Sequence, residues 1–99
     1  MLLGEFDKAA TVMQSALKLT PLEMGRRRAL MITHLANISL RQGHIEECCS
    51  YAVEALLLAH PVHSTLVIHR LQKLSIALQP YAKVAAVKQF RLQLAATPK

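Results

Sequence analysis

Tryptophan is absent from the 99 residues, and aromatic side chains make up only 4% of them. Sheets draw on aromatic and β-branched side chains, so a composition led by Leu, Ala, Ile, Val and Met points to packed helices instead. Glycine and proline are scarce, at 3 and 4, so long elements joined by short connections are expected. Asp7 is the sole aspartate. The glutamates fall at helix starts or on polar faces, and no glycine-rich phosphate loop occurs. Paired-carboxylate, Ser-His-Asp and nucleotide-phosphate chemistry thus lack their parts, and neither an enzyme nor a cofactor is expected. Both cysteines are adjacent, Cys48 and Cys49, which excludes a conventional disulfide framework and suits a reducing cytoplasm. No apolar run approaches the roughly 18–20 residues of a membrane span. Met1-Leu2-Leu3 leads straight into Glu5 and Asp7, unlike a signal peptide. A cytoplasmic protein that does not enter the membrane is expected.

What is present is apolar material, 53% of the chain, enough for one compact domain. A domain this small buries only roughly two-thirds of its unfolded surface and is a candidate for oligomerisation. The net charge of +6 is unevenly placed. Residues 1–54 balance Lys8, Lys18, Arg26, Arg27, Arg28 and Arg41 against Glu5, Asp7, Glu23, Glu46, Glu47 and Glu54. Residues 55–99 carry Arg70, Lys73, Lys83, Lys88, Arg91 and Lys99 with no carboxylate at all. That half should attract something acidic.

Periodicity predicts five antiparallel helices. Phe6, Ala9, Ala10, Met13, Ala16 and Leu17 recur at steps of three and four in the first, which Thr20-Pro21 stops. Thr20, Pro21 and Glu23 form a capping box that starts the second, over about Pro21 to Gln42, with Ile32, Leu35, Ala36 and Ile38 inward and Gly43 as a left-handed C-cap. The third spans about Ile45 to Ala59, closed by His60-Pro61. Ser64 caps the fourth, which runs to about Leu78 with Val67, Ile68, Leu71, Leu74 and Leu78 on one face. Pro80 ends it. The fifth runs from about Lys83 to Leu94 with Val87, Phe90 and Leu94 inward, and Ala95 to Lys99 should fray.

An internal repeat emerges at an offset of 39, which places Gly4-Glu5-Phe6 on Gly43-His44-Ile45, Ala9 on Cys48, Ala16 on Ala55 and Leu19 on Leu58. Small residues recur where neighbouring helices approach most closely. The pattern resembles the tetratricopeptide repeat, with a partial unit over 1–20, a unit over 21–60 and an atypical terminal unit over 61–96 that lacks the glycine turn. Together, Arg26-Arg27-Arg28-Ala29-Leu30, Leu40-Arg41-Gln42-Gly43, Glu54-Ala55-Leu56, Arg70-Leu71, Leu78-Gln79-Pro80-Tyr81, Val87 and Phe90 look like the C-terminal region of actinobacterial helix-turn-helix transcriptional regulators. That resemblance implies a partner-sensing role, with contact to DNA only through an upstream helix-turn-helix domain.

The resemblance also implies a concave groove, whose ligand-contacting positions fall on Leu30, Thr33, Asn37, Leu40 and Arg41. The residues of the fourth helix support it independently. Leu66, His69, Lys73 and Ile76 lie opposite the core stripe and mix large apolar with polar side chains, as a binding surface does. Asn37 offers a paired donor and acceptor for a peptide backbone, and Arg41 and Lys73 suit a carboxylate. The expected partner is a protein or peptide, acidic or with a free carboxylate.

Two rival readings remain. The basic C-terminal half, through Lys83, Lys88 and Arg91, would contact DNA; Tyr51 and Tyr81 are too few to make a stacking platform, and Arg26-Arg27-Arg28 reads as a solvated surface. Alternatively His44, Cys48 and Cys49, with His60 and His63, would form a metal or redox sensor. Cys48 sits at the small-residue packing position and reads as a structural thiol, while Cys49 points away and is expected to be exposed and more reactive. Finally, Gly4 stands where a helix pair turns, with only three residues before it. A missing half-repeat would bare Phe6, Met13 and Leu17, and a twofold dimer through the N-terminal helices is expected.

Overall fold

The computed structural model describes residues 3–20, 25–59 and 64–96, with side chains from Lys8 onward. Those residues form five α-helices: α1 (Leu3–Leu19), α2 (Gly25–Arg41), α3 (Ile45–Ala59), α4 (Thr65–Ala77) and α5 (Ala85–Ala96), with a single 3₁₀ turn at Gln79–Tyr81. The fold is all-α.

The α2–α3 turn follows from one residue. Gly43 has φ of 81°, and its amide donates to the Leu40 carbonyl at 3.0 Å while the His44 amide donates to the Ser39 carbonyl at 2.9 Å. These paired bonds are a Schellman motif, which closes a helix on a left-handed residue. A Cβ at Gly43 would meet nothing within 4 Å, so glycine is selected by backbone conformation and not by space. With so short a turn, α3 folds back along α2. Ala29, Ala36, Cys48, Ala52, Ala55 and Ala59 are fully enclosed, and small side chains at these positions let the two backbones approach closely along their length.

Ser64 caps α4 as expected, its Oγ accepting from the Val67 amide at 3.4 Å. After Leu78 the chain does not reverse on a glycine. Pro80 sits inside the 3₁₀ turn, and the Val84 amide still donates to the Tyr81 carbonyl at 2.9 Å. This run of tight turns uses up Lys83 and Val84, so α5 starts at Ala85 and extends through Ala95 and Ala96. The side chains that these helices bury in the core are large: Leu71, Leu74, Leu78, Val87 and Phe90.

Neighbours two apart in sequence order also touch, α2 with α4 and α3 with α5, as in stacked helix pairs. The Cα extents of 37 × 35 × 17 Å describe a slab. Two helix layers with axes 8–10 Å apart give about 13–15 Å of backbone, so the slab is two helices thick.

Two arginines each tie one helix to the end of another. Arg28 of α2 donates through Nη1 to the Leu17 and Thr20 carbonyls at 3.0 and 3.1 Å, and Arg91 of α5 donates through Nη2 to the Ser75 carbonyl at 2.6 Å. Each guanidinium meets the negative, carbonyl-rich end of another helix. Arg28 is therefore not part of a solvated arginine run.

Other expectations need correction. Cys49 is buried, not exposed, because α3 is covered on two sides and the arc 100° from Cys48 is also inside. Ile38 is half-buried, and Ala9 is exposed. Pro21 and Glu23 of the capping box lie outside the described residues, as do His60, Pro61 and His63. Thr20 itself turns its hydroxyl to the Ala16 carbonyl at 2.8 Å.

Candidate functional site

Helix α2 buries Ala29, Ile32, Thr33, Leu35, Ala36 and Ser39. At about 100° per residue the opposite arc, within roughly 60° of Leu30, holds Arg26, Arg27, His34, Asn37 and Arg41, all exposed, with the buried Thr33 at one edge. On α4 the buried stripe is Val67, Leu71 and Leu74. Leu66, His69, Arg70 and Ile76 lie within roughly 60° of Lys73 on the other side, and all five are exposed. Since α2 packs beside α4, the structure brings these two arcs onto neighbouring helices.

Neither α2 nor α4 contains an acidic residue. Among the described side chains the carboxylates Glu46, Glu47 and Glu54 all belong to α3, and Glu47 accepts a 2.9 Å bond from Ser39. The two helices thus present Arg26, Arg27, Arg41, Arg70 and Lys73 with two histidines and no opposing charge of their own, a field that favours an acidic ligand.

The expected groove residues divide. Asn37 and Arg41 are exposed, and Leu30 and Leu40 are half-buried against the core. Asn37 spends one amide hydrogen on the Thr33 carbonyl at 3.2 Å, leaving its other hydrogen and its oxygen for a ligand. Thr33 is not a contact residue. It is buried, its hydroxyl donating to the Ala29 carbonyl at 2.7 Å, the i−4 bond that satisfies a helical threonine internally. On α4, Leu66, His69 and Lys73 are available. Ile76, 73% exposed, instead lines a separate cleft toward α5. Arg26, Arg27, His34 and Arg70 also lie on these exposed arcs; their spacing from Leu30 and Lys73 was the available signal.

The rivals fare differently. Arg91 is half-buried and donates through Nη2 to Ser75 and to Gln79, whose Oε1 accepts at 3.0 Å, while Lys83 and Lys88 are exposed. Tyr51 is half-buried and accepts a 3.2 Å bond from Gln14 of α1. The Cys48 thiol is pushed up to about 12 by burial and then by the neighbouring Cys49. Burial, and then the Glu46 carboxylate, push Cys49 up as well. Thiols held protonated and enclosed are poor ligands and nucleophiles. No cluster of three metal-ligating side chains occurs among the described residues.

The N-terminal helix is also differently arranged. Met13 is half-buried, Leu17 packs against the core, and the Phe6 side chain lies outside the described ones. Among the described side chains, the large apolar residues that α1 bares are Val12, 67% exposed, and Leu19, 85%. They are seven apart and share a face.

No helix among the described residues is long and apolar enough to cross a membrane. No protein-family model matches the chain, and no curated protein or solved structure matches it either.

Proposed function

We propose that the protein is a peptide-binding helical-repeat module, without enzymatic activity, whose α2/α4 face captures an acidic segment of a partner protein. One observation carries this reading: two adjacent helices expose five arginines and lysines, two histidines and the apolar Leu66 with no carboxylate among them, while Glu46, Glu47 and Glu54 gather on α3. Such sorting separates attraction from repulsion. An extended segment would exchange backbone bonds with Asn37, place carboxylates on Arg41 and Lys73, and rest an apolar side chain on Leu66. The tetratricopeptide-like pairing of the helices supports the reading of the chain as the partner-sensing region of a cytoplasmic transcription regulator. DNA contact would then belong to a helix-turn-helix domain elsewhere in that regulator.

The test is fluorescence anisotropy with a labelled peptide of alternating Glu and Leu, its Gln-for-Glu counterpart, and a short DNA duplex at matched salt. The acidic peptide should bind, the Gln peptide at least tenfold more weakly, and Arg41→Ala with Lys73→Ala should remove about tenfold or more of the affinity at unchanged helicity. Duplex bound more tightly than the acidic peptide, with loss on substituting Lys83 and Lys88, would transfer the protein to the DNA-binding class.

The self-association expected of α1 moves on this reading to Val12 and Leu19, the apolar pair that face exposes. Sedimentation should show a dimer that Val12→Glu and Leu19→Glu dissociate; a wild-type monomer at high micromolar concentration overturns it.

A further inference from the structure

We infer that the cleft between α4 and α5 is a binding site for a small amphipathic carboxylic acid. Gln72, Ser75, Ile76 and Gln79 of the α4 side face Arg91, Leu94 and Ala95 across a space of about 540 Å³, within the usual range of small-ligand pockets, roughly 300–1,000 Å³. It is separate from the α2/α4 face and does not rest on the peptide-binding reading.

The lining states the ligand's chemistry. Ile76, Leu94 and Ala95 make an apolar wall, and Ile76 is left largely open to water, which suits a hydrocarbon chain laid against it. The only charge in the lining is a cation. Arg91 commits Nη2 to the Ser75 carbonyl and the Gln79 side chain, yet its Nε is enclosed with no hydrogen-bond partner. An enclosed donor on a charged group without an acceptor is costly, and a carboxylate oxygen entering beside Arg91 supplies the missing acceptor in a charge-assisted bond. Neither α4 nor α5 contains an acidic residue, so no side chain of the cleft's own helices competes for that place. A monoanion fits better than a polyanion, because a single guanidinium faces mostly apolar walls.

The experiment is a titration of the intact chain with butyrate, hexanoate and octanoate, followed by amide NMR and calorimetry, with octylamine as the opposite-charge control and a short peptide ending in free Leu as the macromolecular source of the same chemistry. Octanoate should saturate one site, shift the amides of residues 72–79 and 91–95, and bind about threefold to fourfold more tightly for each added methylene until the cleft is full. Ile76→Ser, at an exposed position that should leave the fold intact, and Arg91→Lys should each weaken it at least tenfold. Octylamine binding as well as octanoate, shifts elsewhere, or full affinity in Ile76→Ser would overturn the site. Tighter binding of the Leu-ending peptide would overturn the small-molecule assignment.

Discussion

The helix pairs α2/α3 and α4/α5 solve the same packing problem with opposite materials. The first turns on Gly43 and joins through Ala, Cys and Ser, so its helices lie close along their full length. The second turns through a 3₁₀ segment around Pro80 and buries Leu, Val and Phe, and its two helices touch each other less. Small side chains at a crossing permit close backbone approach, whereas large ones set the axes apart. The consequence is functional: beside the second pair lies the cleft that Arg91 lines.

If the comparison is right, the second pair should fail by deletion. Phe90 is fully enclosed and is the largest such side chain, so Phe90→Ala should cost about 3–5 kcal/mol in denaturant unfolding, a large share of the stability of a domain this size. A cost under about 1 kcal/mol would mean that α5 does not depend on its large residues.

The first pair should fail by addition. Cys48→Leu should overpack the α2/α3 seam and cost roughly 1–3 kcal/mol, while Cys48→Ala stays within about 1 kcal/mol because it removes one heavy atom from a site built for a small residue. Equal stability of the two variants would break the contrast. The same burial predicts that both thiols react with an alkylating reagent at pH 8 at least about tenfold more slowly in the native chain than in denaturant. Because the folded Cys48 pKa lies above its ordinary value of 9.0, at about 12, the folded state holds its proton more tightly; this contribution to stability is complete below pH 9 and is lost as pH rises toward 12.

The turns give a smaller test. Gly43→Ala should cost about 1–2 kcal/mol, since an L side chain is strained at positive φ, and Gly43→Asn less. Pro80→Ala should cost under about 1 kcal/mol, through the unfolded chain alone. The smallest effect on stability is expected on the exposed face. Asn37→Ala and Arg41→Ala should stay within about 0.5 kcal/mol by thermal unfolding, while the anisotropy of a bound acidic peptide falls. Variants that unfold, or that keep full affinity, would remove these residues from the site.

Much of this was legible from residue types. The five helices, the Gly43 cap, the Ser64 cap, the α3 bounds and the inward stripes of α4 and α5 follow from local spacing, because 3.6-residue periodicity and capping are properties of short segments. The basic face of α2 was less legible. Arg26, Arg27 and Arg28 look equivalent in sequence, yet the first two are exposed while the third is tied to the end of α1. The same holds for Lys88 and Arg91, one exposed and the other holding α4.

By itself, then, the sequence determined that five helices form, which faces are apolar, and that residues 55–99 carry no carboxylate. Only the tertiary structure decided that Cys49 and Thr33 are enclosed, that Ile76 belongs to the α4/α5 cleft, and which arginines are engaged. The physical reason is that periodicity reports one face of one helix, whereas burial depends on how many neighbours surround it. A flanked helix such as α3 hides two arcs, and a guanidinium's role depends on whether another helix ends within its reach.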